Sequence, residues 1–401
     1  MKRVVITGAG CITAIGQDVA TFSANLFGGM SGISDLQDVP ERELRFSRTA
    51  SVRGFAARDW LAASQTQLAE RSSQFAIASA RQAMSQSGLS TAYASDEIAA
   101  VFGCSTGGRS AEEPETAKLY TKGGRVHPLT VPRSMASAGL SLVTMEHGIT
   151  GPAYTVSTAC ASGAHAIGQA FHMVRSGMVR AALTGAHEAP LTYGFLKSWD
   201  SLHVVSPTAC KPFGADRDGM TLGEGAAMIA LETMDAAVAR GAFILAEIAG
   251  FGMSADASHM TQADPRGPAA AMQMALRDAN AESSEVGYVN AHGTGTEVND
   301  RVEAEALRRV FGAGARTLPV SSTKSLHGHA MGASGAIEVL ATALSLQCGR
   351  LPGNGSSHID RSLGLEGVLQ TSIARDATLA LSNSFAFGGL NAVIALRKFI
   401  P

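Results

Sequence analysis

Short apolar runs with strand periodicity alternate with longer segments of helical spacing along the chain. The pattern predicts strands at residues 3–7, 98–103, 153–157, 181–185, 226–231, 244–250, 287–290, 318–321, 379–382 and 392–396. It predicts helices at residues 69–85, 135–146, 161–175, 269–278, 301–311 and 335–346. No low-complexity tract and no long linker interrupts the alternation. The sequence therefore indicates an α/β protein built of mixed layers.

A weak repeat relates the two halves of the chain. Residues 4–10 have a counterpart at residues 246–252, and we interpret each as a strand that runs into a glycine-rich turn. Each half then supplies one reactive residue after a strand, Cys160 in the first and His292 in the second. Two similar halves packed face to face would bring these residues together. The predicted halves are residues 1–240 and 241–401.

Composition and charge argue against several classes of function. The 401 residues carry a net charge of −2, which disfavours nucleic acid or an anionic membrane as the main partner. With 45% hydrophobic and 16% charged residues, the chain can build a large core and cover a subunit interface. The first apolar run is too short for a signal sequence, and we expect no segment of membrane-spanning length. Scattered cysteines without metal-ligand spacing favour a reduced, cytoplasmic protein.

The stretch around Cys160 has the pattern of a reactive cysteine. A β-branched run at residues 154–158 is followed from residue 161 by Ala-, Gly- and Gln-rich sequence at helical spacing. Cys160 is thus predicted at a strand-to-helix turn, where free backbone N–H groups and the helix dipole favour a thiolate. We therefore expect a nucleophile near neutral pH, flanked by residues small enough to admit an acyl group. The alternative is a buried cysteine that serves only packing.

Candidate partners for this cysteine follow strands of the second half. His292 ends one predicted strand and precedes a hydroxyl-rich turn with Thr294 and Thr296, although a lone histidine is more often structural. Farther on, His327 and His329 lie in a Gly- and Ser-rich loop that opens a helix. A metal site at these two histidines is possible, but carboxylate and thiolate ligands are missing nearby.

Two glycine-rich stretches follow predicted strands and could bind an anion with their backbone N–H groups. Residues 383–391 end a strand in a turn that can direct backbone N–H groups at a developing oxyanion. Residues 8–14 follow a strand as a dinucleotide phosphate loop does, but the glycine fingerprint is imperfect and no acidic ribose ligand follows at the expected distance. We therefore disfavour nucleotide binding.

Several motifs together resemble those of the elongating β-ketoacyl-[acyl-carrier-protein] synthases. The matching stretches are residues 158–163, 211–219, 223–225, 290–296, 322–329 and 383–389. Their order and spacing cover nearly the whole chain. The resemblance implies a thiolase fold, a duplicated α-β-α-β-α five-layered arrangement with two mixed five-stranded sheets, usually in a homodimer. The weak repeat is consistent with that duplication.

The resemblance also implies a reaction. Cys160 would take an acyl chain from a carrier-protein thioester, and malonyl-acyl carrier protein would then lose carbon dioxide. His292 and His329 would hold the malonyl thioester carbonyl and stabilise the enolate. Attack of the carbanion on the acyl thioester would release a β-ketoacyl chain two carbons longer. No cofactor is expected beyond the phosphopantetheine arm of the carrier.

Further roles carry over from the same family motifs. The backbone N–H groups of Cys160 and Phe387 match the oxyanion hole. The remaining matches are Lys324 in the catalytic set, paired with Glu338 behind His329; Phe385 and Gly388 in the gate turn; Thr294 and Thr296 along the phosphopantetheine arm; and Asp300 and Glu303 in support. His327 stands where the family pattern has a hydroxyl or apolar residue and is not counted as catalytic.

Departures from the family pattern bear on substrate and carrier. The turn at residues 296–300 is more similar to polyketide-type synthases. Ala386 replaces a glycine and Leu390 a threonine in the gate turn, which we expect to restrict the swing of Phe387. Residues 65–68 are neutral where relatives carry basic residues that bind an acidic carrier protein. Basic residues that remain as candidates for that contact are Arg125, Arg308 and Arg309.

Three related classes of protein differ from an elongating synthase at these motifs. A degradative thiolase needs a second reactive cysteine near the C-terminus, and an initiating synthase has asparagine in place of His329. A chain-length-factor subunit is a scaffolding partner that lacks the nucleophile. Retention of Cys160, His292 and His329 favours a catalytic subunit, which could act as a homodimer or beside such a partner. Fatty-acid, polyketide and aryl-polyene pathways all remain open.

Overall fold

A computed structural model describes residues 2–36, 44–355 and 358–400. The strands are β1 (Val4–Thr13), β2 (Ser34–Asp35), β3 (Arg48–Thr49), β4 (Ile98–Gly103), β5 (Ala153–Val156), β6 (Ala181–Glu188), β7 (Gly225–Thr233), β8 (Ala246–Ala255), β9 (Tyr288–Asn290), β10 (Val320–Ser321), β11 (Arg350–Leu351), β12 (Ile373–Ala374), β13 (Leu379–Ala386) and β14 (Leu390–Arg397). The helices are α1 (Val19–Gly28), α2 (Ala63–Leu68), α3 (Arg71–Ser87), α4 (Leu89–Ala92), α5 (Arg109–Lys122), α6 (Thr130–Ser134), α7 (Ala138–His147), α8 (Ser162–Ser176), α9 (Tyr193–Ser201), α10 (Met234–Ala239), α11 (Arg266–Asp278), α12 (Glu297–Phe311), α13 (Lys324–His327) and α14 (Ser334–Cys348).

The large sheet has ten strands in two groups of five. The order is β10-β9-β13-β14-β8 in one group and β1-β7-β6-β4-β5 in the other, and each group mixes parallel and antiparallel pairs. Three antiparallel pairs, Val4–Ile6 of β1 with Ala246–Ile248 of β8, join the groups edge to edge. The five-stranded groups expected from the sequence are therefore present, as two parts of one continuous sheet.

Helices form layers on and between these groups. Helices α8 and α14 pack against each other, and both contact strands of the two groups, so they form the middle layer. Helix α3 covers β1, β7 and β6 on the outside of the first group, and α11 covers β8 and β14 in the same way in the second. The layers confirm an α/β arrangement that duplicates one unit.

The glycines of the repeat lie inside strands, so their interpretation as turns is wrong. Strand β1 continues through Gly10 to Thr13, and β8 continues through Gly252 to Ala255. A Cβ on Gly10 would lie 2.1 Å from the carbonyl oxygen of Ser79 in α3. A Cβ on Gly252 would lie 2.0 Å from the carbonyl oxygen of Ala271 in α11. The repeat therefore records the close approach of one helix to one strand in each half, and β1 offers no phosphate loop.

All the predicted strands and helices are present; β4 has the predicted ends, and the other elements have at least one shifted end. Helix α12 begins at Glu297 after the N-cap Thr296, so residues 296–300 form a helix start and not a separate turn. Helix α5 was missed because it contains Pro114 and buries little apolar surface, with Ala111 its one buried residue. Its sequence therefore lacks the apolar stripe by which helices are recognised. The predicted division at residues 240 and 241 falls between α10 and β8.

Among the described residues, one helical segment is long and apolar enough to span a membrane, by length and composition alone. Residues Met331–Cys348 have a mean hydropathy of 1.2 over 18 residues. The expectation of no such segment was wrong, but 89% of this one is buried inside the structure. Its apolar character follows from its place in the middle layer.

A buried histidine couples the stability of this fold to pH. His187 of β6 is 1% exposed, and its Nδ1 lies 2.7 Å from the hydroxyl oxygen of Ser72 in α3. Burial lowers the pKa of His187 from 6.5 to about 4. Below pH 6.5 the unfolded chain binds a proton that the folded chain excludes, so stability falls as the pH falls toward 4.

We expect acidification from pH 7.5 to 5 to cost the wild-type protein about 2 kcal/mol through His187 alone. The measurement is urea unfolding of the wild type and His187→Asn at both pH values. The difference between the two proteins at pH 7.5 accounts for altered packing. The loss between the two pH values should then be smaller in His187→Asn by about 2 kcal/mol. An equal loss in both proteins would contradict this role.

Candidate active site

Cys160 lies in a tight turn between β5 and α8, as predicted. Ala159 has a φ of +48°, the left-handed conformation that non-glycine residues rarely adopt. The Ser162 hydroxyl stabilises the turn: it accepts a hydrogen bond from the Thr158 N–H at 2.9 Å and donates one to the Ala159 carbonyl at 2.6 Å. Cys160 is 8% exposed and lines a cavity. The strained turn thus presents the sulfur beside the first turn of α8.

The acid–base state of Cys160 differs from the sequence-based expectation. Burial raises the pKa of Cys160 to about 11, and the charge of Lys324 opposes this only in part. Burial cannot be read from the local motif, and it disfavours the thiolate. The group is therefore a thiol at neutral pH, and its proton must leave as the acyl group arrives.

His292 is positioned by hydrogen bonds to both its backbone and its imidazole ring. Both oxygens of Glu303 accept backbone hydrogen bonds, from the N–H of His292 at 2.9 Å and of Gly293 at 2.7 Å. The Lys324 ammonium lies 3.3 Å from His292 Nδ1 and can only donate, so that nitrogen accepts. The proton of the neutral ring is therefore on Nε2.

His329 has the same tautomer for a different reason. Its Nδ1 accepts a hydrogen bond from the Met331 N–H at 3.1 Å and lies 2.9 Å from the Ser334 hydroxyl. The rings of His292 and His329 lie 5.5 Å apart at 87°. Burial, then the Lys324 charge, lowers the pKa of both histidines well below 6.5. The cavity therefore has two neutral imidazole groups with Nε2–H donors.

Lys324 and Glu338 form an ion pair with both side chains fully buried. The Lys324 ammonium donates to the Glu338 carboxylate and, at 2.6 Å, to the His292 carbonyl. Burial raises the pKa of Glu338 to about 7 against the attraction of Lys324. The pair was expected behind His329, but Lys324 contacts His292 directly, at its Nδ1 and its carbonyl. It therefore fixes both the position and the tautomer of that histidine.

Removal of the Lys324 ammonium is expected to destabilise the fold and to abolish the activity that depends on the His292 tautomer. Lys324→Met leaves the Glu338 carboxyl buried without its cation, which should cost about 3 kcal/mol in urea unfolding. The double variant Lys324→Met/Glu338→Leu should recover most of that stability but no activity, because the donor to His292 Nδ1 is still absent. The exposed pair Arg309–Glu305 is the control, and Arg309→Met should cost at most about 0.5 kcal/mol. Wild-type stability in Lys324→Met would contradict the assignment.

The gate turn is the tip of the β13–β14 hairpin. Ala386 pairs with Leu390, and Gly388 and Gly389 have φ values of +83° and +72°. Ala386 lies in the strand ladder, where alanine fits without strain. Phe385 is 6% exposed and packs 5.9 Å from the His292 ring, whereas Phe387 is 38% exposed. A restricted swing of Phe387 remains a prediction.

The cavity beside Cys160 has a volume of about 480 Å³. Predicted site residues among its lining are Cys160, His292, Thr294, Thr296, His329, Phe385, Phe387 and Gly388. The hydroxyl oxygens of Thr294 and Thr296 lie 2.9 Å apart. Asp300 lies behind this wall and accepts hydrogen bonds from the backbone N–H groups of Phe213 and Gly295. The supporting residues thus hold the loops from which the lining residues project.

Some residues that line the cavity carry no sequence motif, and the ring of His327, considered above for a metal site, is hydrogen-bonded within the protein. Trp199, Asp256 and Met260 also line the cavity, and no sequence motif marks them. The ring nitrogens of His327 lie 2.9 Å from the Gly328 carbonyl and 2.9 Å from the Thr323 hydroxyl. Within residues 2–36, 44–355 and 358–400 there is no cluster of three or more residues able to hold a metal ion.

The candidate carrier-binding residues differ in whether their side chains already bond within the protein. Gln65 of the neutral segment donates to Glu146 and accepts from Arg81. Arg308 donates to the Leu363 carbonyl, and Arg309 pairs with Glu305 of its own helix. Arg125 is exposed in the loop after α5. Arg125 is therefore the candidate most open to a partner.

Comparison with known proteins covers both halves of the chain. Residues 1–237 match the family model described as the N-terminal domain of beta-ketoacyl synthase, and residues 245–358 match the C-terminal domain model. Nodulation protein E of Rhizobium sp. (strain N33) is 38% identical over 402 residues, with 99% of each chain covered. The 3-oxoacyl-[acyl-carrier-protein] synthase 2 of Staphylococcus aureus (strain COL) is 37% identical over 408 residues, again with 99% of each covered. The solved structure of the ishigamide ketosynthase/chain length factor superposes with a TM-score of 0.95 at 30% identity, covering 100% of both chains.

Proposed function

Because the chain belongs to the β-ketoacyl synthase family, we propose that it extends acyl chains by decarboxylative condensation with malonyl-acyl carrier protein. It is an acyltransferase with a thiolase fold. One observation carries the assignment of its residues: Cys160 shares a cavity with two histidines that both present Nε2–H donors. A nucleophile beside two neutral donors fits acyl transfer followed by enolate formation.

The first step transfers the acyl chain to Cys160. The sulfur attacks the carbonyl carbon of the acyl carrier thioester, the bond to the carrier sulfur breaks, and the thiol proton of Cys160 goes to the departing carrier thiolate. The backbone N–H groups of Cys160 and Phe387 would stabilise the tetrahedral oxyanion. The raised pKa of Cys160 suits this order, because the thiol is ionised only when an acceptor for its proton is present.

The second step forms and uses the enolate. The malonyl thioester carbonyl accepts hydrogen bonds from Nε2–H of His292 and His329, and the bond to the carboxylate carbon breaks to release carbon dioxide. The negative charge on the carbonyl oxygen then lies between two donors in a buried site, which favours the enolate over the ground state. The enolate carbon attacks the acyl-Cys160 carbonyl, and the cysteine thiolate leaves and takes up a proton from solvent, which restores the thiol.

The remaining walls of the cavity would receive the carrier arm. Thr294 and Thr296 offer adjacent hydroxyls to the amides of phosphopantetheine. We expect no cofactor beyond that arm, which the carrier protein supplies. The free cysteines, of which Cys348 alone is exposed among the described residues, suit a cytoplasmic location.

A subunit partner is the second part of the proposal. Strand β5 is one edge of the sheet, and its residue Tyr154 is 40% exposed. Tyr154 lines a surface pocket together with Met178, which is 68% exposed. An unpaired strand edge flanked by apolar side chains is suited to pairing with another subunit. A second copy of this chain would give a homodimer. The similarity to a ketosynthase/chain length factor pair favours a heterodimer in a polyketide-type pathway as the alternative.

Reconstitution with defined substrates tests the function and its pathway. The purified protein is incubated with malonyl carrier protein and with donor carriers charged with saturated, unsaturated or polyene chains, and the carrier products are measured by mass. A β-ketoacyl product with a donor chain two carbons longer is expected. Preference for saturated chains would favour fatty-acid elongation, and preference for polyene chains a secondary pathway. Absence of product with every donor, both alone and with a chain-length-factor subunit, would contradict the proposal.

A further inference from the structure

A tryptophan outside every sequence motif contacts the gate residue. Trp199 of α9 stacks on Phe387, with ring centroids 5.8 Å apart and ring planes 19° apart. Both rings line the cavity that contains Cys160. Among the described residues, Trp199 is the aromatic partner of Phe387, whereas Phe385 packs on His292 instead. The two phenylalanines of the gate motif therefore lie on different supports.

Helix α9, which carries Trp199, is anchored by hydrogen bonds at both of its ends. At the N-terminal end, Glu113 of α5 accepts hydrogen bonds from the Gly194 N–H at 2.6 Å and from the Thr192 hydroxyl. At the C-terminal end, Asp200 accepts from the backbone N–H and the guanidinium of Arg45, at 3.1 and 3.2 Å. Asp200 itself is 6% exposed. A stacked ring on such an anchored helix is preorganised.

The other contacts of the gate turn act on its backbone. The Gly388 N–H donates to the Met260 carbonyl at 2.7 Å, and the Asp256 N–H donates to the Gly389 carbonyl at 2.9 Å. These bonds locate the two glycines, but they leave the Phe387 side chain free to rotate about its own torsions. The stack with Trp199, by contrast, acts on the phenyl ring itself.

The position of Phe387 leaves Cys160 reachable. The same cavity is lined by Cys160 at 8% exposure and by Leu202 and Met260 at 49% and 71%, so it extends from the sulfur to the surface. Phe387 lies on the wall of this passage while it is stacked on Trp199. Loss of the stack would let the ring move into the passage.

We propose that Trp199 is a positioning residue that holds Phe387 against the cavity wall and keeps Cys160 open to an incoming thioester. The inference rests on the proposed function for its biological meaning, but the access of reagents to Cys160 tests it independently. Loss of an aromatic stack of this kind should lower the ratio of stacked to unstacked positions of the Phe387 ring by about threefold to tenfold. The effect should therefore appear in the rate of attack at Cys160.

Alkylation by iodoacetamide, followed by peptide mapping, measures that access directly. In Trp199→Ala the rate at Cys160 should fall threefold to tenfold, while the rate at the exposed Cys348 stays at the wild-type value as an internal control. Trp199→Phe should restore at least half of the lost rate, because a ring can stack again. The other tryptophan, Trp60, lies outside the cavity lining, and Trp60→Phe should react as the wild type does. An unchanged or faster rate at Cys160 in Trp199→Ala would overturn the inference.

Fluorescence gives a second readout that a purely structural role would not move. In the Trp60→Phe background, Trp199 is the one remaining tryptophan. Replacing Phe387 by leucine should shift its emission, and so should acylation of Cys160 if the gate moves during turnover. No shift with Phe387→Leu would show that the rings do not stack in solution. If donors fail to acylate the wild type but the alkylation rates behave as expected, the proposed function fails and the role of Trp199 stands.

Discussion

Cys160→Ala is expected to abolish condensation, with a fall of at least about a thousandfold in the rate of β-ketoacyl formation. Alanine removes the sulfur that would carry the acyl chain in the cavity shared with the two imidazole donors. The variant should fold, because the side chain is small and the Ser162 hydroxyl that stabilises the turn is retained. Cys348→Ala is the matched control at an exposed thiol and should keep full activity.

Cys160→Gln separates the two half-reactions. Its amide resembles the acylated cysteine in size and polarity, so malonyl carrier protein should still bind and lose carbon dioxide while no chain is extended. Release of carbon dioxide from labelled malonyl carrier protein measures this activity. Condensation by either Cys160 variant would mean that another group is the nucleophile.

The second large effect is expected at the two histidines. His329→Ala and His292→Ala should each lower decarboxylation by about a hundredfold to a thousandfold, because each removes one Nε2–H donor from the developing enolate oxygen. The double variant should be less impaired than the product of the single effects, since the donors act on one atom. His327→Gln is the matched control in the same loop, because the His327 ring bonds to Gly328 and Thr323. An effect of His327→Gln as large as that of His329→Ala would contradict the assignment.

The protonation state of these histidines gives a further test of the same claim. Their pKa values lie well below 6.5, because burial and the Lys324 charge disfavour the imidazolium. Both rings therefore stay neutral donors between pH 6 and 8. Decarboxylation by Cys160→Gln should show no inflection near pH 6.5 in that range. A fall in activity with an apparent pKa near 6.5 would mean that one ring titrates as an ordinary histidine.

The sequence predicted the chemical groups of the site better than their environment. Cys160 and His292 each follow a strand, so their convergence could be anticipated from the two similar halves, whereas the role of His329 came from the resemblance to the family motif. The raised pKa of Cys160 could not be anticipated from the sequence, because it depends on burial by distant parts of the chain. The placement of Lys324 against His292, and not His329, also depends on tertiary packing.

The fold shows the same division between local pattern and long-range contact. Apolar runs identified the strands of the large sheet, but Gly10 and Gly252 were assigned to turns because close helix packing is invisible in a single segment. Trp199 and Phe387 are far apart in the chain and meet through the tertiary fold, in which α9 is tied to Arg45 and Glu113. Nothing near Trp199 in the sequence marks it as part of the gate.

The most direct test of the account is the intact mass of the protein after incubation with acyl carrier proteins, followed by peptide mapping. We expect one acyl group per chain, on the peptide that contains Cys160, and none in Cys160→Ala. The adduct should disappear when malonyl carrier protein is added, as the chain leaves in the β-ketoacyl product. An acyl group on another cysteine, or no adduct on Cys160 with any donor, would contradict the central claim.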